Sequence, residues 1–345
     1  MKRLRHKMNL NVLYQINDKY APYAGASLTS LFENNKHLPS IRVYILGEKL
    51  SKVSEARFRA MAAKYGRQLT FVKTDPLVVM MKKMGMPTYR GSYAANMRLF
   101  LPFVLADDVD RLLYLDADTI VDGPLDELIT MPMDGHPIAM CLDSLVRLHK
   151  TRLGFTSADY YYNSGMILFD MIAWRSLRCS ERIANHVKNV RAMYPSPDQD
   201  LINVVLKGEI LKLPPRYNIQ PIYLAFSIKD YFKTFGGRGF YAQKEVQNDL
   251  SCPVIYHFFR FVGEFPWNSD NVHPDNDLFD KYIKMSPWND YIKRPANTGA
   301  VLKFEKILYK NISKSVFIKL FRLAYEYFIY KANKDSIKSK INKLM

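Results

Sequence analysis

Cysteine is scarce in this chain of 345 residues: only Cys141, Cys179 and Cys252 occur, odd in number and far apart. Such spacing fits neither a disulfide framework nor a zinc cluster, so the thiols read as buried small apolar residues in a reducing compartment. Long apolar runs are missing too. No segment reaches the 18 or so uninterrupted apolar residues of a membrane span. No apolar stretch follows the basic opening, residues 1–10, so nothing reads as a signal peptide and the chain is expected in the cytoplasm. Internal repeats and low-complexity tracts do not occur. What is present is a globular composition, with 48% hydrophobic and 24% charged residues, enough for a sizeable core and unlike a disordered chain.

Charge is the next informative feature. Lysine and arginine number 50 against 33 acidic residues, a net charge of +17. Four of these charges fall in residues 1–7 and eight in residues 301–345, leaving five for the roughly 300 residues between. A nearly balanced middle with two basic ends suits a domain held near an anionic surface.

The first third alternates strand and helix patterns. Strands are expected at 9–15, 41–46 and 68–72, with helices at 24–32 and 51–65, the latter ended by Gly66. Such alternation predicts βαβ units on a parallel sheet, a Rossmann-like α/β half. Residues 93–105 read as a helix carrying Arg98, 111–115 (RLLYL) as a buried strand, and 137–142, 166–169 and 254–257 as further core strands. The segment 195–200 (PSPDQD) opens a helix ended by Gly208, whereas 75–92 reads as a loop with a short helix and 216–250 takes no assignment.

The chain holds four D-x-D pairs: Asp108/Asp110, Asp116/Asp118, Asp198/Asp200 and Asp275/Asp277. Only Asp116/Asp118 stands between apolar segments, at the end of the strand 111–115 and before Ile120 and Val121. Carboxylates held there are costly unless they bind a cation or are well hydrogen-bonded. Residues two apart on extended backbone point the same way, so this pair is able to chelate one hard divalent ion together with phosphate oxygens. It also falls at the carboxyl end of a strand, where α/β sheets gather ligands. The alternative is a turn in which both aspartates cap backbone amides.

The string LLYLDADTIV resembles the metal-binding signature of glycosyltransferase family 8, which includes bacterial lipopolysaccharide and capsule α-glycosyltransferases and glycogenin-like enzymes. VLYQINDKYAPYAGASLTSL, YAANMRLFLP, YYNSGMILFD, PDQDLIN and VIYHF resemble its other blocks, in order, over roughly residues 9–270. The resemblance implies a GT-A fold with a mixed central sheet. It also implies transfer of a hexose from a UDP-sugar to an acceptor hydroxyl with retention of configuration, assisted by Mn2+ or alternatively Mg2+. Asp116, Asp118 and His257 would be the metal ligands, a mixed oxygen and nitrogen set suited to Mn2+. Asn17, Asp18, Tyr20, Arg98, Asp116, Ala117, Asn163, Ser164, Gly165 and Arg260 would bind the nucleotide-sugar, with Asn163–Gly165 as a turn. Asp198, Gln199 and Asp118 would carry the catalytic roles, Asp198 on sugar hydroxyls and Gln199 beside the anomeric carbon.

Two departures from the family pattern stand out. Asn17 replaces an acidic residue common in the first turn. After His257 the chain reads HFFRFVGEFPW, with Phe265 where a diphosphate-binding lysine would fall, and Arg260 is the candidate substitute. The acceptor site is expected in 75–92 and 216–250.

Residues 316–330 are apolar except for Lys319, Arg322 and Glu326, which fall on one helix face. Lysines at 303, 306, 310, 314, 331, 334, 338, 340 and 343 flank them. The pattern suits a helix lying in an anionic interface, the alternative being packing on its own domain or a second protomer. The organisation expected is a basic segment 1–8, a transferase domain 9–290 and a basic amphipathic helical tail 291–345. The expected partners are a UDP-hexose, a glycan or lipid-linked oligosaccharide acceptor and the cytoplasmic face of the inner membrane, with no nucleic acid; a homo-oligomer is compatible. The competing functional reading is a degenerate member of the same fold that binds nucleotide or glycan without turnover.

Overall fold

The computed structural model describes residues 8–327, apart from 87, 89–91, 146–147 and 191–193. The basic segment 1–7 and the lysines from 331 onward lie outside the described residues. A seven-stranded sheet runs in the order β3-β2-β1-β4-β7-β6-β8. Its strands are β1 (Asn9–Asn17), β2 (Ser40–Glu48), β3 (Gln68–Val72), β4 (Arg111–Leu115), β6 (Ile138–Leu142), β7 (Tyr162–Asp170) and β8 (Ile210–Lys212). β1, β2, β3 and β4 pair in parallel, as do β6 and β8, while β7 lies antiparallel between β4 and β6. This is the mixed sheet expected.

Side chains alternate faces along a strand, and both faces here are covered, so the central strands read as nearly continuous apolar runs. In β4, Leu112 and Tyr114 enter one core and Leu113 and Leu115 the other. Helix α1 (Ala21–Asn34) follows β1 and packs beneath the second core with α2 (Lys52–Lys64). Ser51 caps α2 by accepting the N–H of Ser54.

A second, two-stranded sheet joins β5 (Thr119–Val121) to β9 (Ile255–His257), with Thr119 opposite His257. The expected core strand at 254–257 therefore pairs outside the main sheet. That register sets His257 beside the Asp116–Asp118 turn. The expected helix at 93–105 is instead a short α-turn, Ala94–Met97, followed by 3₁₀ turns over Arg98–Phe103 with Phe100 out of helical geometry. Pro102 lacks the N–H an α-ladder would require. The unassigned stretch folds into short helices, Pro221–Ala225, Ile228–Phe235 and Gln243–Asp249. Cys141 and Cys179 are buried as expected, but Cys252 is exposed, at the turn after the last of these.

The described part of the tail forms helix α5, after α3 (Pro197–Val205) and α4 (Asn276–Met285), over Ala300–Asn311, and α6 over 314–327. Both pack on the domain. Phe317 and Ile318 are buried, Phe317 stacks on Phe226, and Arg322 Nη1 donates to Thr234 O at 3.0 Å. Lys306 pairs with Glu264 at 3.0 Å, and Lys310 with Asp270 at 3.2 Å. The described part of the tail thus packs on its own domain, the alternative to lying free in an interface, with part of its charged face turned to the protein. Among the described residues no helix is long and apolar enough to cross a membrane.

Candidate active site

Asp116 leaves the end of β4 and is tied to β7 by its backbone, its N–H donating to Gly165 O at 2.8 Å. Asp118 follows on the same turn, and its carbonyl accepts the N–H of Phe258 just after β9. One carboxylate oxygen from each aspartate and a ring nitrogen of His257 lie within 4.8 Å of one another. His257 Nε2 is 3.4 Å from Asp118 Oδ1 and 3.8 Å from Asp116 Oδ2. Its Nδ1 is 3.1 Å from Asn218 Oδ1. The carbonyl of Asn218 accepts that proton, which leaves the Nε2 lone pair toward the carboxylates, the state in which histidine ligates a metal. Burial opposes protonation of His257, but Asp118 and Asp116 outweigh it and raise its pKa. The donor set fits a hard divalent ion.

Gly165 explains how the ring comes so close. A Cβ there would lie 2.0 Å from His257 Cε1. Asn163, Ser164 and Gly165 are not a turn but part of β7. The β6–β7 register slips between Met140, opposite Ile167, and Leu142, opposite Tyr162, so this stretch leaves the β6 ladder. Its freed groups make local bonds: Asn163 Oδ1 accepts from Gly165 N and from Asn218 Nδ2, and Ser164 N donates to Gln199 Oε1.

Arg98 is buried, with its guanidinium carbon 4.0 Å from the centre of the Tyr114 ring. Its Nη1 reaches Asp116 at 3.1 Å, Asp198 at 3.4 Å and Ser164 O at 3.1 Å. It is no surface salt bridge; it neutralises two carboxylates that would otherwise repel each other. Desolvation raises the pKa of Asp198 against the pull of Arg98, and Asp198 Oδ2 has no hydrogen bond. The N-cap of α3 is Ser196, with Asp198 in the first turn.

Gln199, the next residue, is held at both ends of its amide. Oε1 accepts from Ser164 N at 2.9 Å, and Nε2 donates to Tyr161 Oη at 3.2 Å and Asp143 Oδ2 at 3.4 Å. Asp143 Oδ2 also accepts from Asn163 Nδ2 at 3.1 Å. Behind them Asp200 accepts from Tyr161 and contacts His149 Nε2 at 2.7 Å.

Two cavities meet at the aspartates. One, of about 420 Å³, is lined by Asn17, Tyr20, Arg98 and Asp116–Asp118. The other, of about 460 Å³, runs from Asp116, Asp118 and His257 past Asn163, Gln199 and Asp143 to Arg260 and the C-terminal helices. Asn17 spends its Oδ1 on the N–H of Tyr20. Asp18 turns away to accept the N–H of Ser51 at 2.9 Å, so it supports the start of α2. Arg260 lies 5.8 Å from the centre of the Phe265 ring.

Asp143, Tyr161, His149 and Asn218 were not singled out in the sequence. Asp143 had a legible signal, because it follows the buried strand IAMCL as Asp116 follows RLLYL. Asn218 had none.

This fold and site define a glycosyltransferase of the GT-A fold. A model of glycosyl transferase family 8 matches residues 11–271, and the chain belongs to that family. The chain is 26% identical over 302 residues to the lipopolysaccharide 1,2-glucosyltransferase of Escherichia coli K12, covering 86% of this chain and 83% of that protein. It is 24% identical over 287 residues to general stress protein A of Bacillus subtilis, covering 81% and 95%. The structure of the galactosyltransferase LgtC, solved with donor and acceptor sugar analogs, superposes with a TM-score of 0.67. That match has 20% identity and covers 82% of this chain and 100% of that one. At that identity the likeness concerns the fold.

Proposed function

We propose that the chain is a retaining hexosyltransferase that uses a UDP-sugar and Mn2+, with Mg2+ as the alternative ion. Its acceptor would be a cell-surface glycan such as lipopolysaccharide or capsule. The observation that carries this reading is the meeting of two cavities at Asp116 and Asp118 with His257 alongside. The cavity beside Asn17, Tyr20, Ala117 and Arg98 suits the nucleotide, and the other suits the two sugars.

Asp116, Asp118 and His257 would hold the ion, which stabilises charge growing on the leaving diphosphate. The chain's own residues do the rest. Arg98 bridges Asp116 and Asp198 and holds both in place. Ser164 and Gly165 set the positions of Gln199 and His257. Asn163 and Gln199 aim Asp143 into the cavity, where its carboxylate stabilises positive character at the anomeric carbon. Gln199, with its oxygen already engaged, orients rather than attacks. The anomeric bond to the β-phosphate oxygen breaks as the bond to the acceptor oxygen forms on the same face. The acceptor proton passes to the departing phosphate.

Proton NMR of the first-formed product checks the stereochemistry. An axial linkage from an axial UDP-hexose is expected; an inverted linkage contradicts the proposal. The competing reading, binding without turnover, draws on Phe265 replacing the family lysine. Arg260, which borders the sugar cavity, supplies a cation in its stead.

Peripheral attachment to the cytoplasmic face of the membrane is part of the proposal. Val301, Phe304 and Ile307 on α5 and Leu320 and Leu323 on α6 are exposed, and the exposed Lys303 and Lys319 lie among them. An outward apolar face rimmed by lysines suits an anionic interface. Co-sedimentation with vesicles containing phosphatidylglycerol is expected to fall about tenfold in Phe304→Glu with Leu323→Glu. Undiminished binding contradicts the attachment.

A further inference from the structure

The sugar cavity has an outer wall that the preceding chemistry does not use. Leu302 and Glu305 of α5 and Phe321 and Tyr325 of α6 line it, opposite Gln199 and Asp143. These residues lie beyond position 271, where the family match ends. The wall therefore comes from the C-terminal helices, outside the part of the chain that the family model matches. It is also firmly held: α6 is anchored by buried Phe317 and Ile318 and by Arg322 on Thr234, and α5 by Lys306 on Glu264.

Two polar groups on this wall lack partners among the described residues. Glu305 makes neither an ion pair nor a hydrogen bond there, although the adjacent Lys306 is paired, and burial raises its pKa. The Tyr325 hydroxyl has no hydrogen bond either; burial and then the carboxylates of Asp143 and Asp200 raise its pKa. Both side chains are half-buried at the cavity wall, so their polar atoms are placed to meet the hydroxyls of a bound ligand. Phe321 and Tyr325 present nearly parallel rings, with centroids 6.2 Å apart. Aromatic faces carry partial negative charge and receive the C–H face of a sugar ring. Glu305 and Asp143 together disfavour an anionic ligand.

Resting on the transferase reading, we infer that Glu305, Phe321 and Tyr325 form the acceptor subsite and take a neutral hexopyranose. The subsite thus lies in the C-terminal helices. Of the stretches 75–92 and 216–250, where the acceptor was expected, no described residue lines this cavity.

The test follows UDP release from the turned-over UDP-hexose in Mn2+. Methyl glycosides of glucose, galactose and mannose, and their disaccharides, are added singly as probes. At least one is expected to accelerate release by the wild type. In Glu305→Gln and Tyr325→Phe its KM is expected to rise about tenfold each, while the donor KM moves less than about twofold. Both substitutions preserve shape, so a general loss of folding is distinguished by the donor KM. An unchanged glycoside KM in both variants overturns the subsite, as does donor turnover that no glycoside accelerates. Absence of any donor turnover defeats the transferase reading itself.

Discussion

Asp118→Ala is expected to reduce transfer by more than about 1000-fold while leaving the melting temperature within a few degrees of wild type. The two halves of this result have separate causes. Loss of activity follows on the proposed mechanism because Asp118 would supply one of three clustered metal-ligand atoms, at the point where charge would accumulate in the reaction. Retained stability follows because, among the described residues, the Asp118 side chain forms an ion pair with His257 alone and lies beside the like-charged Asp116, while its structural bond, from Phe258 N, uses the backbone carbonyl. Asp116→Ala provides the contrast. Asp116 accepts from Tyr114 and pairs with Arg98, so its removal strips a buried cation of one partner and is expected to cost several kcal/mol besides. Thermal melts beside initial rates separate the two variants. Equal destabilisation by both, or substantial activity in Asp118→Ala, counts against the site.

Gly165→Ala is expected to weaken metal binding about 100-fold and to lower activity in step. The added methyl would lie 2.0 Å from His257 Cε1 and 2.6 Å from Nε2, so the ring must move. It has little room, being buried, hydrogen-bonded to Asn218 and packed edge-on against Phe259. Overpacking of this kind also costs about 1–3 kcal/mol of stability. Titration of Mn2+ into the purified variant reads the affinity. Wild-type affinity in Gly165→Ala contradicts the position assigned to His257.

Parts of this arrangement were legible in the sequence for physical reasons. A strand buried on both faces is a run of apolar residues, and a carboxylate at its end is conspicuous; RLLYLDAD carried that signal. The βαβ alternation of the first third likewise predicts its parallel pairing. Other parts were hidden because they depend on long-range register. Nothing local tells that β9 pairs with β5 or that β7 slips against β6, yet these two facts bring His257 and Gly165 together. The aromatic stretch 216–250 concealed Asn218, because helices of five to eight residues, such as Pro221–Ala225 and Ile228–Phe235, are too short for a periodic pattern. The tail is a different case. Its three charges read as one helix face, with packing on the domain as the alternative to an interface, and Arg322 is bonded to Thr234 while apolar residues occupy both the inner and the outer sides of α6.

The most direct measurement of the central claim is UDP release from a panel of nucleotide sugars, in Mn2+ and in EDTA, with wild type and Asp118→Ala side by side. The account predicts turnover of a UDP-hexose by wild type in Mn2+, extinguished by EDTA and by the substitution. Turnover indifferent to EDTA and to Asp118→Ala, or no turnover together with no binding of UDP in Mn2+, would contradict it.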